Sequence, residues 1–191
     1  MAAPLSHQYT VEEYLALERE SAGRHEYLEG QIYDMSGESL AHSQISINLA
    51  IEVGSQLRGR DCQALSANMK VRTGDLGLFS YPDLSVVCGQ PVFHDVQKDV
   101  LLNPRVIFEV LSPTTEAFDR GEKFSRYSKY IQSLTDYVLV SQRRPAIDHY
   151  IRQQEGNWLY SQVEGIPAQM VIASIGCVLQ MSEIYARVAF A

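Results

Sequence analysis

An apolar run that contains a single carboxylate constrains this chain more than any other stretch. The run RVIFEVL spans residues 105–111 and is apolar except at Arg105 and Glu109. Its length and composition predict a central strand that is buried on both faces. A lone carboxylate inside such a strand costs free energy unless it is paired or binds a metal. Glu109 is therefore the first candidate for a functional residue.

A second carboxylate opens the preceding apolar run. Asp83 follows Pro82 in the sequence PDLSVV, and a proline at the first residue of a strand removes the N–H that matters least. If the two runs pair, Asp83 and Glu109 converge at one edge of the sheet. Two carboxylates suit Mg²⁺ or Mn²⁺, which can polarise a phosphoryl oxygen and lower the pKa of a bound water. The alternative is that Asp83 only caps a turn after Pro82.

A helix predicted from about Ala117 to Gln132 adds a candidate cation. Lys123 lies near its start and can stabilise the negative charge that develops on a phosphorus during hydrolysis. Asp119 is four residues earlier, so an ordinary ion pair on the helix surface is the alternative. The three residues together favour a metal-dependent phosphodiesterase.

The N-terminal half shows helix and hairpin signals. A capping box predicts that the sequence TVEEYLALERE begins a helix at Thr10, which should end near Gly23. Two short strands bent at Glu29-Gly30 follow. Apolar residues recur every four positions from Ile45 to Leu57 and predict a second helix with one buried face.

The remaining segments predict a mixed sheet. We expect one strand over residues 62–74, a loop over 75–82, a strand at 136–140 and an antiparallel meander through WLYSQV. A strand near 173–179 and a short helix from Met181 complete the order. This order predicts an α/β (α+β) fold, and the absence of a linker predicts a single domain over residues 1–191.

Composition excludes several classes. A net charge of −7 counts against a protein that coats duplex DNA non-specifically. No apolar stretch approaches the roughly 18–20 residues that span a bilayer, and no signal peptide is evident, so we expect a cytoplasmic location. The three cysteines contain no CxxC pair and do not support a zinc site or a disulfide framework. Cys88 is interpreted as a small buried hydrophobic residue.

The two acids and their spacing resemble the PD-(D/E)xK phosphodiesterase superfamily. In that superfamily an Asp opens one strand, and a second acid and a Lys lie two residues apart on the next. Pro82-Asp83 and Glu109-Val110-Leu111 match this pattern except at the lysine, which Leu111 replaces. The resemblance implies that Asp83, Glu109 and the Val110 carbonyl bind the metal, and that Lys123 replaces the missing lysine.

Longer stretches resemble, more narrowly, the Uma-two family of restriction-endonuclease-like bacterial proteins. The matching pieces are YTVEEYLAL, HEYLEGQIYDMSG, His42 before a helix, PDLSVV, PRVIFEVLSPTTEAFDRGEKFSRY and DYVLVSQRR. The resemblance implies a restriction-endonuclease-like core, a mixed sheet flanked by helices. It also implies auxiliary roles for Glu26 and His42, for which an exposed strand carboxylate and a core histidine are the alternatives.

These residues predict a Mg²⁺- or Mn²⁺-dependent endodeoxyribonuclease. Its partner would be nucleic acid, most simply DNA, and a homodimer is expected because cutting a duplex requires two active sites. One rival is a degenerate nuclease fold that binds nucleic acid or a protein without cleavage, which Leu111 and the acidic charge favour. A second rival is a metal-free hydrolase that uses Asp83 and Glu109 as general acid and base.

Overall fold

The computed structural model describes residues 7–35, 37–74 and 77–190. Its strands form a six-stranded mixed sheet, a five-stranded mixed sheet and a two-stranded antiparallel sheet. The strands are β1 (His25–Leu28), β2 (Gln31–Asp34), β3 (Cys62–Ser66), β4 (Lys70–Arg72), β5 (Leu78–Ser80), β6 (Leu84–Cys88), β7 (Val100–Leu101), β8 (Val106–Leu111), β9 (Asp136–Ser141), β10 (Ala146–Arg152), β11 (Trp158–Glu164), β12 (Gln169–Ile172) and β13 (Cys177–Gln180). The helices are α1 (Val11–Glu20), α2 (Leu40–Leu57), α3 (Glu116–Phe118), α4 (Phe124–Tyr130) and α5 (Met181–Ile184).

The six-stranded sheet places β8 between two different neighbours. Its spatial order is β11-β10-β9-β8-β6-β3, in which β8 runs parallel to β9 and antiparallel to β6. The smaller sheet has the order β2-β1-β5-β4-β7. Both orders agree with the predicted mixed sheet, and the β9-β10-β11 meander is antiparallel as expected.

The side chains of β8 alternate between two apolar clusters. Val106, Phe108 and Val110 pack on the side that α2 covers, whereas Ile107 and Leu111 pack on the side of α4. All six residues of β8 are buried, which confirms the predicted central strand. Because Glu109 shares the parity of Ile107 and Leu111, its carboxylate points toward α4.

The first helix confirms its predicted capping box. The Thr10 hydroxyl accepts from the Glu13 N–H at 3.1 Å, and the Glu13 carboxylate accepts from the Thr10 N–H at 2.8 Å. These bonds satisfy two of the N–H groups that a helix start leaves without partners. The helix ends at Glu20, a few residues before Gly23.

The second helix has the predicted apolar stripe. Its four buried residues are Ile45, Leu49, Val53 and Leu57, spaced one turn apart. The Ser39 hydroxyl caps the helix by accepting from the His42 N–H at 3.1 Å. This cap fixes His42 in the first turn of α2, at the carboxyl-terminal edge of β8.

The predicted helix after β8 contains a π-helical turn. Residues Asp119–Lys123 form this turn between α3 and α4. A π turn adds a residue to the helical repeat, so it changes which side chains share a face. Asp119 and Lys123 are both buried.

Three sequence-based expectations are wrong in detail. The stretch 62–74 forms two strands in different sheets, β3 and β4, because a turn at residues 67–68 redirects the chain. The expected loop before Pro82 contains the buried strand β5. Near the C-terminus two strands, β12 and β13, flank a 3₁₀ turn at Ala173–Ile175.

The cysteines also differ from expectation. Cys62 and Cys88 lie opposite one another on β3 and β6, with Cα atoms 3.9 Å apart, and form a disulfide. Antiparallel pairing brings together two cysteines that are 26 residues apart in the sequence, which no local motif reveals. Cys88 is therefore a bonded half-cystine and not a small buried hydrophobic residue.

Within the described residues, no helix combines the length and hydropathy that crossing a bilayer requires.

Candidate metal and phosphodiester site

The predicted site residues line one cleft at the carboxyl-terminal edge of β8. The cleft has a volume of about 560 Å³. One wall comes from β1, the segment before α2 and the first turns of α2, and the other from the segment between β8 and the π turn. The predicted residues found in its lining are Glu26, His42, Asp83, Glu109, Val110 and Lys123.

Asp83 links β8 to α2. One carboxylate oxygen accepts from the Val110 N–H at 2.6 Å, and the other is 2.7 Å from the His42 Nε2. These bonds cross from one element to another, so they differ from the local turn cap that was the alternative. They fix the carboxylate at the mouth of the cleft.

Glu109 is buried on the α4 side of the sheet. Its Oε1 atom contacts the Lys123 ammonium at 3.0 Å and the Tyr127 hydroxyl at 3.4 Å. Burial raises the pKa of Glu109 well above its usual range; Lys123 lowers that pKa, and the charges of Asp119 and Asp83 raise it. Both contacts use Oε1, and Glu109 also lines the cleft.

Lys123 reaches Glu109 from the helix. Its ammonium lies 3.4 Å from Asp119 and 3.5 Å from Glu26, in addition to the contact with Glu109. Burial alone would lower the pKa of Lys123, but the carboxylates of Glu109 and Glu26 raise it well above its usual range. Leu111, at the position where the sequence resemblance led us to expect a lysine, packs in the apolar cluster beside α4. The π turn thus brings to Glu109 an ammonium that the strand itself does not supply.

The expected surface ion pair between Lys123 and Asp119 is only part of the arrangement. Asp119 is 2% exposed, and its side chain belongs to the buried group around Lys123. Sequence reasoning treated Asp119 as a surface partner. Its spacing of four residues from Lys123 indicated the pair but not the burial.

Glu26 comes from β1 on the opposite wall. Its Oε1 atom is 3.5 Å from the Lys123 ammonium and 3.4 Å from the Tyr81 N–H. Glu26 is therefore not a freely exposed strand carboxylate. It helps to position the ammonium between two strands and a helix.

His42 belongs to a group that includes one residue missed in the sequence. Potential ligand atoms of Glu38, His42 and Asp83 all lie within 4.8 Å of one another. Burial would lower the pKa of His42, but the hydrogen bond to Asp83 and the charges of Asp83 and Glu38 raise it. Glu38 lies just before the N-cap Ser39, and its carboxylate is 3.5 Å from the His42 Nε2; its spacing of four residues from His42 was the available signal.

The donors in the cleft fit a hard divalent cation. Asp83 and Glu109 offer oxygen ligands of the type that Mg²⁺ and Mn²⁺ prefer. Among the described residues, six carboxylates line the cleft beside the cations of Arg24 and Lys123; they belong to Glu26, Asp34, Glu38, Asp83, Glu109 and Asp119. A bound cation would offset this excess of negative charge.

Polar side chains border the mouth of the cleft. The Ser39 hydroxyl donates to the Gln142 side chain at 2.6 Å, which joins the start of α2 to the end of β9. The Arg24 guanidinium lies 5.7 Å from the centre of the Tyr81 ring. Arg24, Ser39, Tyr81 and Gln142 all line the cleft, so a charged or aromatic ligand would meet a polar rim.

Comparison with known proteins agrees with this fold. The model of the Uma2 family, described as "Putative restriction endonuclease", matches residues 11–181. The chain belongs to the Uma2 family.

Relatives of the Uma2 chain extend along most of its length. Uncharacterized protein slr1290 of Synechocystis sp. (strain ATCC 27184 / PCC 6803 / Kazusa) is 36% identical over 179 residues, which cover 94% of this chain and 92% of the relative. Uncharacterized protein sll1609 of the same organism is 28% identical over 161 residues, which cover 84% and 90%.

A crystal structure described as a putative nuclease belonging to DUF820, from Anabaena variabilis ATCC 29413, has a similar fold. The TM-score is 0.77 with 19% identity, and the alignment covers 95% of this chain and 99% of that one. The chain therefore belongs to a family described as "Putative restriction endonuclease" and has the fold of that crystal structure.

Proposed function

We propose that this Uma2 protein is a Mg²⁺- or Mn²⁺-dependent endodeoxyribonuclease. The observation that carries the proposal is the approach of Lys123 to Glu109, at 3.0 Å, in the cleft that Asp83 also lines. This contact supports replacement of the lysine that is absent at Leu111. It completes the set of two acids and one cation that a phosphodiesterase of this superfamily requires.

Asp83 and Glu109 would hold the cation, together with the carbonyl of Val110. When bound, the cation polarises a phosphoryl oxygen and lowers the pKa of a coordinated water. The Val110 N–H and His42 hold the Asp83 carboxylate in place. Tyr127 and Lys123 hold Glu109 through Oε1.

Lys123 would stabilise the charge of the transition state. Its ammonium faces the cleft and can compensate the extra negative charge on the pentacovalent phosphorus. Glu26 and Asp119 keep the side chain aligned from two directions. A homodimer is part of the proposal, because one cleft hydrolyses one strand and a duplex has two.

A supercoiled plasmid with Mg²⁺ or Mn²⁺ tests the proposal. We expect the wild type to nick the plasmid, chelation to abolish nicking, and Glu109→Gln to lower the rate by about 10³-fold, since metal-based charge stabilisation contributes several kcal/mol. Glu183→Gln, which changes an exposed carboxylate on α5, is the matched control and should cleave like the wild type.

The other results overturn the proposal in different ways. Equal nicking by wild type and Glu109→Gln would indicate a contaminating nuclease. Nicking that survives chelation would favour metal-free general acid–base hydrolysis by Asp83 and Glu109. Absence of nicking, combined with DNA binding, would favour a degenerate nuclease fold, the reading that the apolar packing of Leu111 supports.

A further inference from the structure

Strand β11 is a long exposed edge of the six-stranded sheet. It contains seven residues that pair without interruption with β10, and no other described strand pairs with its outer side. Leu159 and Tyr160 are 55% and 50% exposed. An edge of this kind presents a row of unpaired N–H and C=O groups to a further strand.

The usual devices that protect an edge strand are missing from β11. Its sequence WLYSQVE has no lysine, proline or glycine, and its first charged residue is Glu164 at the end. The other edges of the two larger sheets differ. Strands β2 and β7 contain four and two residues, and β3 has five residues and a disulfide to its neighbour.

We propose that β11 pairs antiparallel with β11 of a second copy, with the two-fold axis at Ser161. This register places Leu159 opposite Val163 of the second copy and Tyr160 opposite Gln162 of the second copy. Leu159 and Val163 form an apolar pair on each side of the axis, Trp158 lies opposite Glu164, and the small Ser161 side chains meet at the axis. No like charges face each other between the axis and Glu164.

The occupant of the edge is a second copy because β11 set against itself pairs Leu159 with Val163 twice and opposes no like charges. A symmetric antiparallel pair is an isologous contact, in which the same strand serves both partners. Backbone hydrogen bonds supply attraction, and the register supplies specificity. The interface identifies the surface of the homodimer in the proposed function, but its existence does not depend on metal binding or cleavage.

Cysteine crosslinking tests the register. In either type of antiparallel pair, directly opposite Cα atoms are about 4.5–5.5 Å apart, which suits a disulfide. We expect Ser161→Cys to form a covalent dimer on mild oxidation. Asn157→Cys is the control, because residues four positions from the axis would lie about 27 Å from their own copies at about 3.4 Å per residue.

The existing cysteines give little background. Cys62 and Cys88 are bonded to each other, and Cys177 is buried. The wild type, treated in parallel, gives the uncrosslinked reference. Crosslinking of Asn157→Cys in place of Ser161→Cys would overturn the register.

Ser161→Lys tests the interface itself. Two lysines would face each other across the axis, so we expect the dimer dissociation constant, measured by analytical ultracentrifugation, to rise at least tenfold. Val171→Lys, at a strand position of β12 that is 53% exposed, should change it less than twofold. Thermal melting should show both variants folded.

The failures of the two proposals are distinguishable. A wild type that stays monomeric at high concentration, or a Ser161→Lys variant with an unchanged dissociation constant, would overturn the β11 interface even if the plasmid is nicked. Conversely, a dimer broken by Ser161→Lys supports the interface even if no nicking occurs.

Discussion

Two regions of this molecule contain the same histidine–carboxylate pair in very different surroundings. His42 Nε2 lies 2.7 Å from Asp83, and His149 Nε2 lies 2.7 Å from Asp136. The first pair lies in the cleft, with side chains 14% and 16% exposed. The second pair is 2% exposed on both sides.

The two aspartates differ in what their carboxylate oxygens contact besides the histidine. Asp136 also accepts from the hydroxyls of Thr135 and Ser174, so neighbouring elements of the fold surround it. Apart from its contact with His42, Asp83 accepts a hydrogen bond from the Val110 N–H and lines a cleft that contains further carboxylates. Pair geometry alone therefore does not indicate function. The two pairs differ instead in the exposure of their side chains and in the further carboxylates beside Asp83.

The largest expected effect comes from Asp83→Asn. Loss of one anionic ligand should weaken Mn²⁺ binding and lower nicking by about 10³-fold, because metal-based stabilisation contributes several kcal/mol. Titration calorimetry measures the Mn²⁺ affinity, and the plasmid assay measures the rate. Unchanged Mn²⁺ affinity would contradict the role of Asp83 as a ligand.

Lys123→Met should lower nicking by about 10²-fold, since one charged donor to a transition state commonly contributes this much. Lys129→Met, on the exposed side of α4, is the matched control and should keep the wild-type rate. The Mn²⁺ affinity of Lys123→Met should equal that of the wild type, because the metal ligands remain. This measurement separates the role of Lys123 from metal binding. A Lys123→Met variant that melts normally and cleaves normally would remove this lysine from the mechanism.

Asp136→Asn should act on stability instead. Removing the charge of this buried pair leaves the donors of His149, Thr135 and Ser174 poorly matched, at a cost of about 3 kcal/mol in the free energy of unfolding. Urea denaturation measures the change. Nicking per folded molecule should not change, and a loss of nicking comparable to that of Asp83→Asn would break the contrast between the two pairs.

Low pH should reduce the difference in the free energy of unfolding between the wild type and Asp136→Asn. Burial alone would raise the pKa of Asp136, but the bonds from His149, Ser174 and Thr135 lower it below its usual value. A lowered carboxyl pKa contributes stability above the unfolded value of about 3.9, and this contribution is lost as pH falls through the folded pKa. Urea curves from pH 6 down to pH 3 should therefore converge.

The smallest effect is expected for His42→Gln. The side chain orients Asp83 through one hydrogen bond, so its loss should lower nicking by about tenfold, as for other partners of metal ligands. His149→Gln is the comparison and should lower the melting temperature without changing the rate per folded molecule. A His42→Gln loss as large as that of Asp83→Asn would give His42 a direct part in the reaction.

Much of this architecture was predictable from local patterns. The buried run around Glu109 predicted the central strand, the Thr10 cap predicted the start of α1, and the four-residue repeat from Ile45 predicted the buried face of α2. These features depend on periodicity and hydrogen bonds within a few residues. Each of these signals lies within one short segment, so the sequence of that segment is enough to predict the element.

The features that were missed depend on contacts between distant segments. The π turn that contains the buried Asp119 has no composition signal, and the Cys62–Cys88 disulfide depends on the register of β3 against β6. The short strands β4 and β5 lie beside turns. The sequence pattern joined β4 to β3 in one predicted strand and omitted β5. The proximity of Glu38 to Asp83 likewise requires the tertiary structure.

The strand order between β8 and β11 has a consequence for the proposed dimer. Seven strand spacings separate the two copies of β8, or about 34 Å at about 4.8 Å each. Neighbouring strands are rotated by about 20–25° relative to each other. Each β8 is therefore rotated by about 80° relative to the mean strand direction at the two-fold axis. Both carboxyl-terminal edges then open on the same side of the dimer.

This spacing is close to one helical turn of B-form DNA, about 34–36 Å. Two clefts at this spacing would lie about one helical turn apart along one face of a duplex. In the proposed dimer, the number of strands between the cleft and the edge of the sheet would set the distance between the two cuts, and sequencing the ends of linearised plasmid would measure that distance.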